Sequence, residues 1–154
     1  MSDSNSVKKS HIRKILIIGI ILLIVCAGAA WYIFTNSFSD TSREKADYTF
    51  NALDLIKEFQ QDDKASNKKY AEQIITVNGS VTEIEQADTT VNIKMADTST
   101  GSYIIFAFQQ QDVVNAKKIK QGDSMSIKGS CSGGVYSDIL STEFITFKRC
   151  SINQ

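Results

Sequence analysis

The sequence YIIFAFQQQDVVNAKKIKQGDSMSIKG, from Tyr103 to Gly129, decides the prediction of the fold. Its first six residues are apolar on both faces of an extended chain, which is typical of a buried strand. Apolar residues then recur at helical spacing from Val113 to Ile119, and a turn at Gly122 ends this helix. From Ser124 onward polar and apolar residues alternate, so the stretch predicts a strand, a short helix and another strand.

Two further strands precede this unit and one follows it. Residues 75–82 alternate without a break through Gly79, which we therefore predict as a bulge or bend and not as a hairpin turn. Residues 91–95 alternate as a second strand, and a last strand covers roughly Phe144 to Arg149. Three strands, a helix and two strands are the connectivity of the OB-fold, a partly open five-stranded barrel. The predicted fold is therefore mainly β.

An amphipathic helix is predicted ahead of the first strand. Leu53, Ile56 and Phe59 share one stripe at helical spacing within residues 50–59. Residues 60–73 are highly charged and predict a partly helical, solvated segment. We expect the helix to close one mouth of the barrel or to cover an exposed face of it.

Residues 15–34, ILIIGIILLIVCAGAAWYIF, predict a single transmembrane helix because these 20 residues carry no charge. A helix of this length spans about 30 Å, the thickness of the hydrocarbon core. Trp31 and Tyr32 lie at its far end, where aromatic rings favour the membrane interface. Four basic residues precede it, which places the N-terminus in the cytoplasm and the rest of the chain outside.

Two processed forms compete with a retained anchor. Residues 27–29 read Ala-Gly-Ala, an arrangement that a signal peptidase could cleave, but the apolar run continues beyond them. Cys26 could be lipidated, although Val25 is a poor match to the small residue expected before a lipidated cysteine. We therefore rank the retained anchor first, a cleaved signal peptide second and a lipoprotein third.

The resulting organisation has four parts. Residues 1–14 form a basic cytoplasmic head, residues 15–34 the transmembrane helix, and residues 35–45 a polar tether. Residues 46–154 form the domain outside the cytoplasm.

The composition beyond the apolar run argues against catalysis. From Thr35 onward the chain has 13 Lys and Arg against 16 Asp and Glu, and its only histidine, His11, lies in the basic head. The domain therefore lacks the side chain most used for proton transfer and metal ligation. Carboxylates at Glu83, Glu85 and Asp88 are typical of a solvated edge, and the loop at 97–101 lacks the spacing of a calcium site. We predict no enzyme activity, no catalytic residue, no cofactor and no metal.

Three stretches resemble a known family. They are ADYTFNALDLIKEFQQDDKASNKKYAEQIITVNGSV at 46–81, KQGDSMSIKGSCSG at 120–133 and FKRC at 147–150. In these stretches the chain resembles the tRNA_anti-like family of bacterial OB-fold-type proteins with an N-terminal membrane or signal segment. The resemblance implies kinship with anticodon-binding domains and indicates a bacterial protein. With the orientation predicted above, the anchor would lie in the inner membrane and the domain in the periplasm; after signal-peptide cleavage the domain would be periplasmic or secreted. The resemblance brings no defined activity and no binding residues.

Binding of single-stranded nucleic acid is one functional hypothesis. Tyr103, Phe106 and Phe108 could supply stacking rings, and the candidate cations are Lys94, Lys117, Lys118 and Lys120. However, Phe106 and Phe108 alternate as barrel core residues do, and the domain is slightly acidic. A binding module for a peptide, a glycan or another envelope protein is therefore the preferred hypothesis, and nucleic-acid binding is the alternative.

The contact surface is predicted on a loop from Ser132 to Ser141, since loops on a rigid barrel carry recognition. Its candidate contact residues are Gly133, Gly134, Tyr136 and Asp138.

Cys131 and Cys150 bracket this loop. In an oxidising compartment they could form a disulfide, which would add about 3 kcal/mol in the chain-entropy model. A hairpin that turns near residues 135–136 would hold them apart, whereas a short reversing strand over 135–140 would bring them together. We predict the disulfide; the other interpretation is two separate half-buried thiols.

Overall fold

The computed structural model describes residues 17–32 and 40–153, and its chain divides into two units between Ser39 and Asp40. In the first unit residues 17–32 form a helix, α1, whose side chains are exposed. Within these two described ranges no helix is both long enough and apolar enough to cross a bilayer. The predicted segment 15–34 extends beyond α1 at both ends into residues outside the described ranges. The predicted head, 1–14, lies entirely outside them.

The second unit is mainly β, as predicted, and its strands belong to one mixed sheet. Its elements are β1 (Tyr48–Asn51), α2 (Ala52–Gln61), α3 (Asp63–Tyr70), β2 (Ile74–Ser80), β3 (Glu83–Gln86), β4 (Val91–Ala96), β5 (Tyr103–Phe108), a 3-10 turn (Gln110–Asp112), α4 (Val113–Ala116), β6 (Ser124–Ser137) and β7 (Thr142–Ile152). The strand order is β1-β2-β6-β7-β5-β4-β3, and in the described residues seven strands take part. The pairs β1·β2 and β5·β7 are parallel and the others antiparallel.

The sheet closes on itself because β2 and β3 are consecutive in the chain. The amide of Val81 donates to the carbonyl of Asp123, just before β6, at 2.9 Å. One residue later the amide of Thr82 donates to the carbonyl of Lys94 in β4, at 2.8 Å. The backbone therefore changes partner strand within two residues. This is the closure that the OB-fold connectivity predicts.

The predicted number of five strands is wrong. The predicted first strand is divided into β2 and β3 at Val81 and Thr82, because no single neighbour pairs with its whole length. In addition, β1 precedes α2 and pairs parallel with β2, from Tyr48 opposite Ile75 to Asn51 opposite Asn78.

Of the two alternatives predicted for Gly79, a bulge or a bend, the bulge is not present. Gly79 stays in regular register opposite Met125. A Cβ atom there would lie 2.9 Å from both the Cβ of Ala52 and the sulfur of Met95. The glycine therefore permits close packing. The described register shifts occur instead where β6 pairs with β7, on both sides of Ser130 and Cys131, and where β5 pairs with β7, between Phe106 and Phe108.

The barrel core is formed by the inward residues of the alternating strands. Phe106 and Phe108 are buried, as the alternation predicts, and the ring centroids of Phe106 and Phe147 are 5.2 Å apart. The predicted helix between the third and fourth strands is present as the 3-10 turn and α4, which contribute buried Val113 and Ala116.

Helices α2 and α3 pack against the barrel. The side chain of Asn51 caps α2 by accepting a hydrogen bond from the amide of Leu53 at 3.0 Å. The buried stripe of α2 includes Leu55, Ile56 and Phe59, whereas Leu53, which the prediction placed on it, is 45% exposed. In α3 the side chain of Asn67 fixes the helix to β6.

Part of the predicted tether is packed on the domain. Thr41 is buried, and the ammonium of Lys128 donates to the carbonyls of Ser42 at 2.8 Å and Glu44 at 2.9 Å. Gln109 donates through its side-chain amide to the carboxylate of Asp40 at 3.0 Å. Residues 40–45 of the predicted tether therefore belong to the folded unit.

Candidate binding surfaces

The outer face of the barrel carries two stacked aromatic rings. Tyr103 of β5 lies opposite Phe144 of β7 in the parallel pair, and their ring centroids are 6.2 Å apart at an interplanar angle of 19°. The ammonium of Lys94 lies 5.5 Å from the centroid of the Tyr103 ring. We call Lys94, Tyr103 and Phe144 the barrel face.

The charge of Lys94 on this face is neutralised within the domain. Its ammonium lies 2.6 Å from the carboxylate of Glu85 and 3.3 Å from that of Glu83. Hydrogen bonding to Glu85, the larger effect, and to Glu83 raises the pKa of Lys94, and the bond from Lys94 lowers the pKa of Glu85. A phosphate backbone would have to compete with two carboxylates for this ammonium.

The other predicted nucleic-acid contacts do not gather on the barrel face. Phe106 and Phe108 belong to the core. The remaining candidate lysines, Lys117, Lys118 and Lys120, follow α4. Lys117 donates to the carbonyl of Asp88 at 3.0 Å. Of the predicted set, the structure brings together Lys94 and Tyr103.

The predicted contact loop is largely strand. β6 continues to Ser137 and β7 begins at Thr142, so only residues 138–141 connect them. Asp138 and Tyr136 are exposed, as a contact residue requires.

Gly133 and Gly134 face α2 and α3 and are not part of an open loop. The amide of Gly134 donates to the side-chain oxygen of Asn67, whose nitrogen donates back to the carbonyl of Gly134, both at 2.8 Å. Gly133 has a φ of 105°, and a Cβ there would collide with the oxygen of Asn67. These glycines let α3 dock onto the strand.

The tip of the β6–β7 hairpin exposes four apolar side chains, which we call the apolar hairpin. Ile139 is 95% exposed, Leu140 67%, Val135 55% and Tyr136 48%. Ile139 and Leu140 lie within the predicted contact loop, 132–141, but they were not among its named contact residues. Two adjacent aliphatic residues beside Asp138 in a turn were the signal that could have found them.

A cleft of about 520 Å³ lies beside the apolar hairpin. It is formed between the α2–α3 connection and the base of the hairpin, and we call it the acidic cleft. Its lining consists of Phe59, Gln60, Gln61, Asp62, Asp63, Lys64, Tyr136 and Glu143. Phe59 and Glu143 are its buried members. Sequence reasoning missed this site, because its two walls are far apart in the chain.

Glu143 is a buried carboxylate without a partner for one oxygen. The residue is 1% exposed, and its Oε1 has no hydrogen-bond partner among the described residues. Burial, followed by the charge of Asp63, raises the pKa of Glu143. Its position is fixed from the backbone, since the amide of Glu143 donates to the hydroxyl of Ser102 at 3.0 Å and Gln60 donates to the same hydroxyl at 2.9 Å.

Cys131 and Cys150 are both buried, and the structure does not join them to each other. The hairpin turns at 138–141 and not near 135–136, so no reversing strand is needed to bring the two cysteines to the same region of the β6·β7 pair. Cys131 lies opposite Phe147, and the sulfur of Cys150 packs 2.7 Å from where a Cβ of Gly129 would be. Burial raises the pKa of Cys131 to about 11 and that of Cys150 well above the usual range. The disulfide stays a prediction.

Other ligating groups do not converge in the described part of the chain. No set of three or more His, Cys, Asp or Glu side chains there lies close enough to hold a metal ion. The carboxylates Glu83 and Glu85 contact Lys94, and Asp97 accepts hydrogen bonds from Ser99.

The model of the tRNA_anti-like family matches residues 7–142, which is most of the chain. The chain belongs to the tRNA_anti-like family. The resemblance in the sequence is thereby confirmed. No curated protein is similar enough in sequence to count as a match to this tRNA_anti-like chain.

Among solved structures, the tRNA_anti-like chain is similar to a lipoprotein of Klebsiella pneumoniae that is proposed to bind nucleic acid. The two are 14% identical with a TM-score of 0.56, and the match covers 72% of this chain and 100% of the lipoprotein. At this identity the likeness shows a shared fold.

Two weaker likenesses are to much longer proteins. A Leishmania major protein assigned as an aspartyl-tRNA synthetase is 7% identical with a TM-score of 0.44, covering 74% of this chain and 22% of the other. The aspartyl-tRNA synthetase of Entamoeba histolytica is 12% identical with a TM-score of 0.40, covering 55% and 19%. This chain spans about a fifth of each enzyme.

Proposed function

We propose that this tRNA_anti-like protein is a non-enzymatic module that binds a polypeptide segment through its apolar hairpin. In this proposal residues 15–34 anchor it in the bacterial inner membrane and the barrel lies in the periplasm. The observation that carries the binding proposal is the exposure of Val135, Tyr136, Ile139 and Leu140 on one hairpin of a closed barrel.

The apolar hairpin favours a polypeptide partner for two reasons. Exposed apolar side chains that cluster on a rigid element mark interaction sites in soluble domains. Tyr136 adds an aromatic ring next to the acidic cleft, and aromatic anchors carry much of the energy of protein interfaces. Ile139 and Leu140 offer no hydrogen bond to a sugar hydroxyl, so a glycan fits this surface less well.

Peptide binding can be measured with the full-length protein in detergent micelles. Peptides selected from a random displayed library would be titrated against the unmodified protein and the double variant Ile139→Ser/Leu140→Ser. We expect the double variant to bind at least about tenfold more weakly. Val114→Ser is the matched control, because Val114 is 69% exposed on α4, away from the hairpin in the chain. Equal affinity of the double variant, or a failure to select any peptide, contradicts the proposal.

Binding of single-stranded nucleic acid is the second candidate. It is favoured by the stacked Tyr103–Phe144 pair and by the activity proposed for the Klebsiella lipoprotein. Base stacking on such rings contributes about 1–3 kcal/mol per base. The ion pair between Lys94 and Glu85 argues against this candidate, because it neutralises the ammonium that a phosphate would need. Fluorescence anisotropy with labelled mixed-sequence single strands, at low and high salt, distinguishes the two candidates. If the protein binds polypeptides as proposed, we expect the anisotropy to stay constant as protein is added. Salt-sensitive binding that Tyr103→Ala weakens would favour nucleic acid instead.

The anchored, periplasmic placement has its own test. Both domain cysteines are buried, so they report poorly on topology. A cysteine introduced at exposed Ser99, in a background without the natural ones, should react with a membrane-impermeant maleimide in intact spheroplasts. The protein should also keep the mass of the uncleaved chain. Labelling only after lysis would refute the orientation, and loss of the N-terminal residues would favour a cleaved signal peptide.

A further inference from the structure

We propose that the acidic cleft binds one basic side chain, of arginine or lysine, from the polypeptide that contacts the apolar hairpin. The proposal rests on the proposed function, and it assigns the role of counter-ion to Glu143.

The first step is the state of Glu143 in the unbound protein. The residue is 1% exposed, and its Oε1 lacks a hydrogen-bond donor among the described residues. An unpaired buried carboxylate is destabilising, so a folded protein normally satisfies it or places it where a ligand can do so. Because Glu143 lines the acidic cleft, a donor can reach this region from outside the domain.

The second step is the charge of the cleft. Asp62 and Asp63 lie on its helical side, Lys64 follows them, and Glu143 lies on the strand side. Three carboxylates against one ammonium leave the lining negative when all are ionised. The carboxylate of Asp62 already accepts a hydrogen bond from the amide of Ala65 at 2.9 Å. Glu143 and Asp63 are therefore the carboxylates most able to attract a cation.

The third step concerns the kind of cation. These carboxylates do not converge closely enough to hold a metal ion. A guanidinium or an alkylammonium needs no such convergence, because several donors can each reach a separate oxygen. The volume of about 520 Å³ accommodates a long side chain.

The fourth step links the cleft to the apolar hairpin. Tyr136 belongs to both, and it lies directly opposite Glu143 in the β6·β7 register. A bound segment that covers Ile139 and Leu140 can therefore direct a basic side chain past the Tyr136 ring to Glu143. The predicted recognition motif is a basic residue flanked by apolar residues.

A small probe tests the cation site separately from peptide binding. The side-chain carboxyl signal of Glu143 would be followed by NMR through a pH titration of the full-length protein. We expect N-acetyl-arginine methylamide to lower the pKa of Glu143 and its neutral citrulline analogue to leave it unchanged. Absence of any effect at saturating arginine probe would overturn the proposal.

A peptide variant pair tests the role of the site in recognition. For a selected peptide with one arginine, Glu143→Gln should weaken binding about ten- to hundredfold, as expected for loss of a charged hydrogen bond. For the form of the peptide in which citrulline replaces arginine, Glu143→Gln and the unmodified protein should have equal affinity. Glu83→Gln, which changes a carboxylate that contacts Lys94 of the barrel face, is the control and should have no effect.

The two tests separate the inference from the proposed function. If the hairpin variant loses peptide binding but Glu143→Gln does not, the apolar hairpin is the binding site and the cation inference is wrong. If no peptide binds although the arginine probe lowers the pKa of Glu143, the cation site stands and the polypeptide proposal fails. Thermal unfolding of Glu143→Gln excludes misfolding as the cause of any loss.

Discussion

At the scale of single residues, Glu143 and Gly134 show how packing and binding compete. A Cβ on Gly134 would lie 2.7 Å from Oε1 of Glu143 and 2.5 Å from the ring of Phe59. The absence of a side chain at Gly134 therefore leaves space under α2 for the carboxylate of Glu143. An aliphatic side chain at position 143 could fill the same space more favourably. A buried carboxylate that breaks the local packing rule is expected at functional sites, which supports the proposed binding role.

The pH dependence of stability should reveal the cost of burying Glu143. Its pKa is raised in the folded protein, so between the unfolded and folded pKa values the folded state binds more protons than the unfolded state. The contribution of Glu143 to the free energy of unfolding should therefore fall as the pH rises from the unfolded pKa, about 4.3, through the folded pKa. Glu143→Gln should remove this contribution and raise the free energy of unfolding at pH 7. Urea unfolding of the unmodified protein and of Glu143→Gln at several pH values measures both effects. The same pH dependence of the free energy of unfolding in the two proteins would contradict the prediction.

At the scale of elements, the β6–β7 hairpin determines three features at once. It carries the apolar hairpin, supplies one wall of the acidic cleft and holds both buried cysteines. Its length could not be predicted because Gly133 and Gly134 are typical of a loop, whereas pairing with β7 and the contact with Asn67 keep them within a strand.

The thiols of this hairpin should be inert in the folded protein. Cys131 and Cys150 are buried, and their pKa values are raised, so neither forms a thiolate near pH 8. In a Cys26→Ser background, we expect Ellman's reagent to detect no fast-reacting thiol before unfolding. After unfolding without reductant, an absence of thiols would establish the predicted disulfide and two thiols would refute it. Rapid reaction of the folded protein would contradict the burial.

The predicted tether is a second element, and contacts with the barrel determine how much of it is folded. Lys128 holds the carbonyls of Ser42 and Glu44, next to the trypsin sites Arg43 and Lys45. Lys128→Ala should release this segment and increase its cleavage by trypsin severalfold, because local unfolding governs proteolysis. Lys118→Ala, which removes a contact with Asn115 only, is the control. Mass spectrometry of early fragments measures the effect, and equal rates for the two variants would contradict it.

At the scale of the whole molecule, the alternation of apolar residues predicted the barrel and its core. Phe106 and Phe108 were assigned inward correctly, because alternation identifies the buried face of a strand. The division of the first strand at Val81 could not be predicted, since it depends on which strands lie on either side. β1 is short and merges with the cap of α2, so its sequence gives no distinct signal.

The candidate sites were predictable to a smaller degree. Tyr136 and Asp138 were named from the position of a loop, and both are exposed. The acidic cleft was not predictable, because α2 and β7 meet there through the fold and not through sequence proximity. Exposure of Ile139 and Leu140 likewise depends on where the turn falls.

The shortness of the two outermost strands also affects how copies of the protein behave when crowded. A sheet aggregates by adding strands to unpaired edges, and long flat edges are the most hazardous. In the described residues the two ends of the sheet are β1 and β3, each of four residues. Each of these edges offers a neighbouring copy only a few backbone groups. The protein can therefore expose an apolar hairpin at high local density with little risk that the sheets of adjacent copies fuse into fibres.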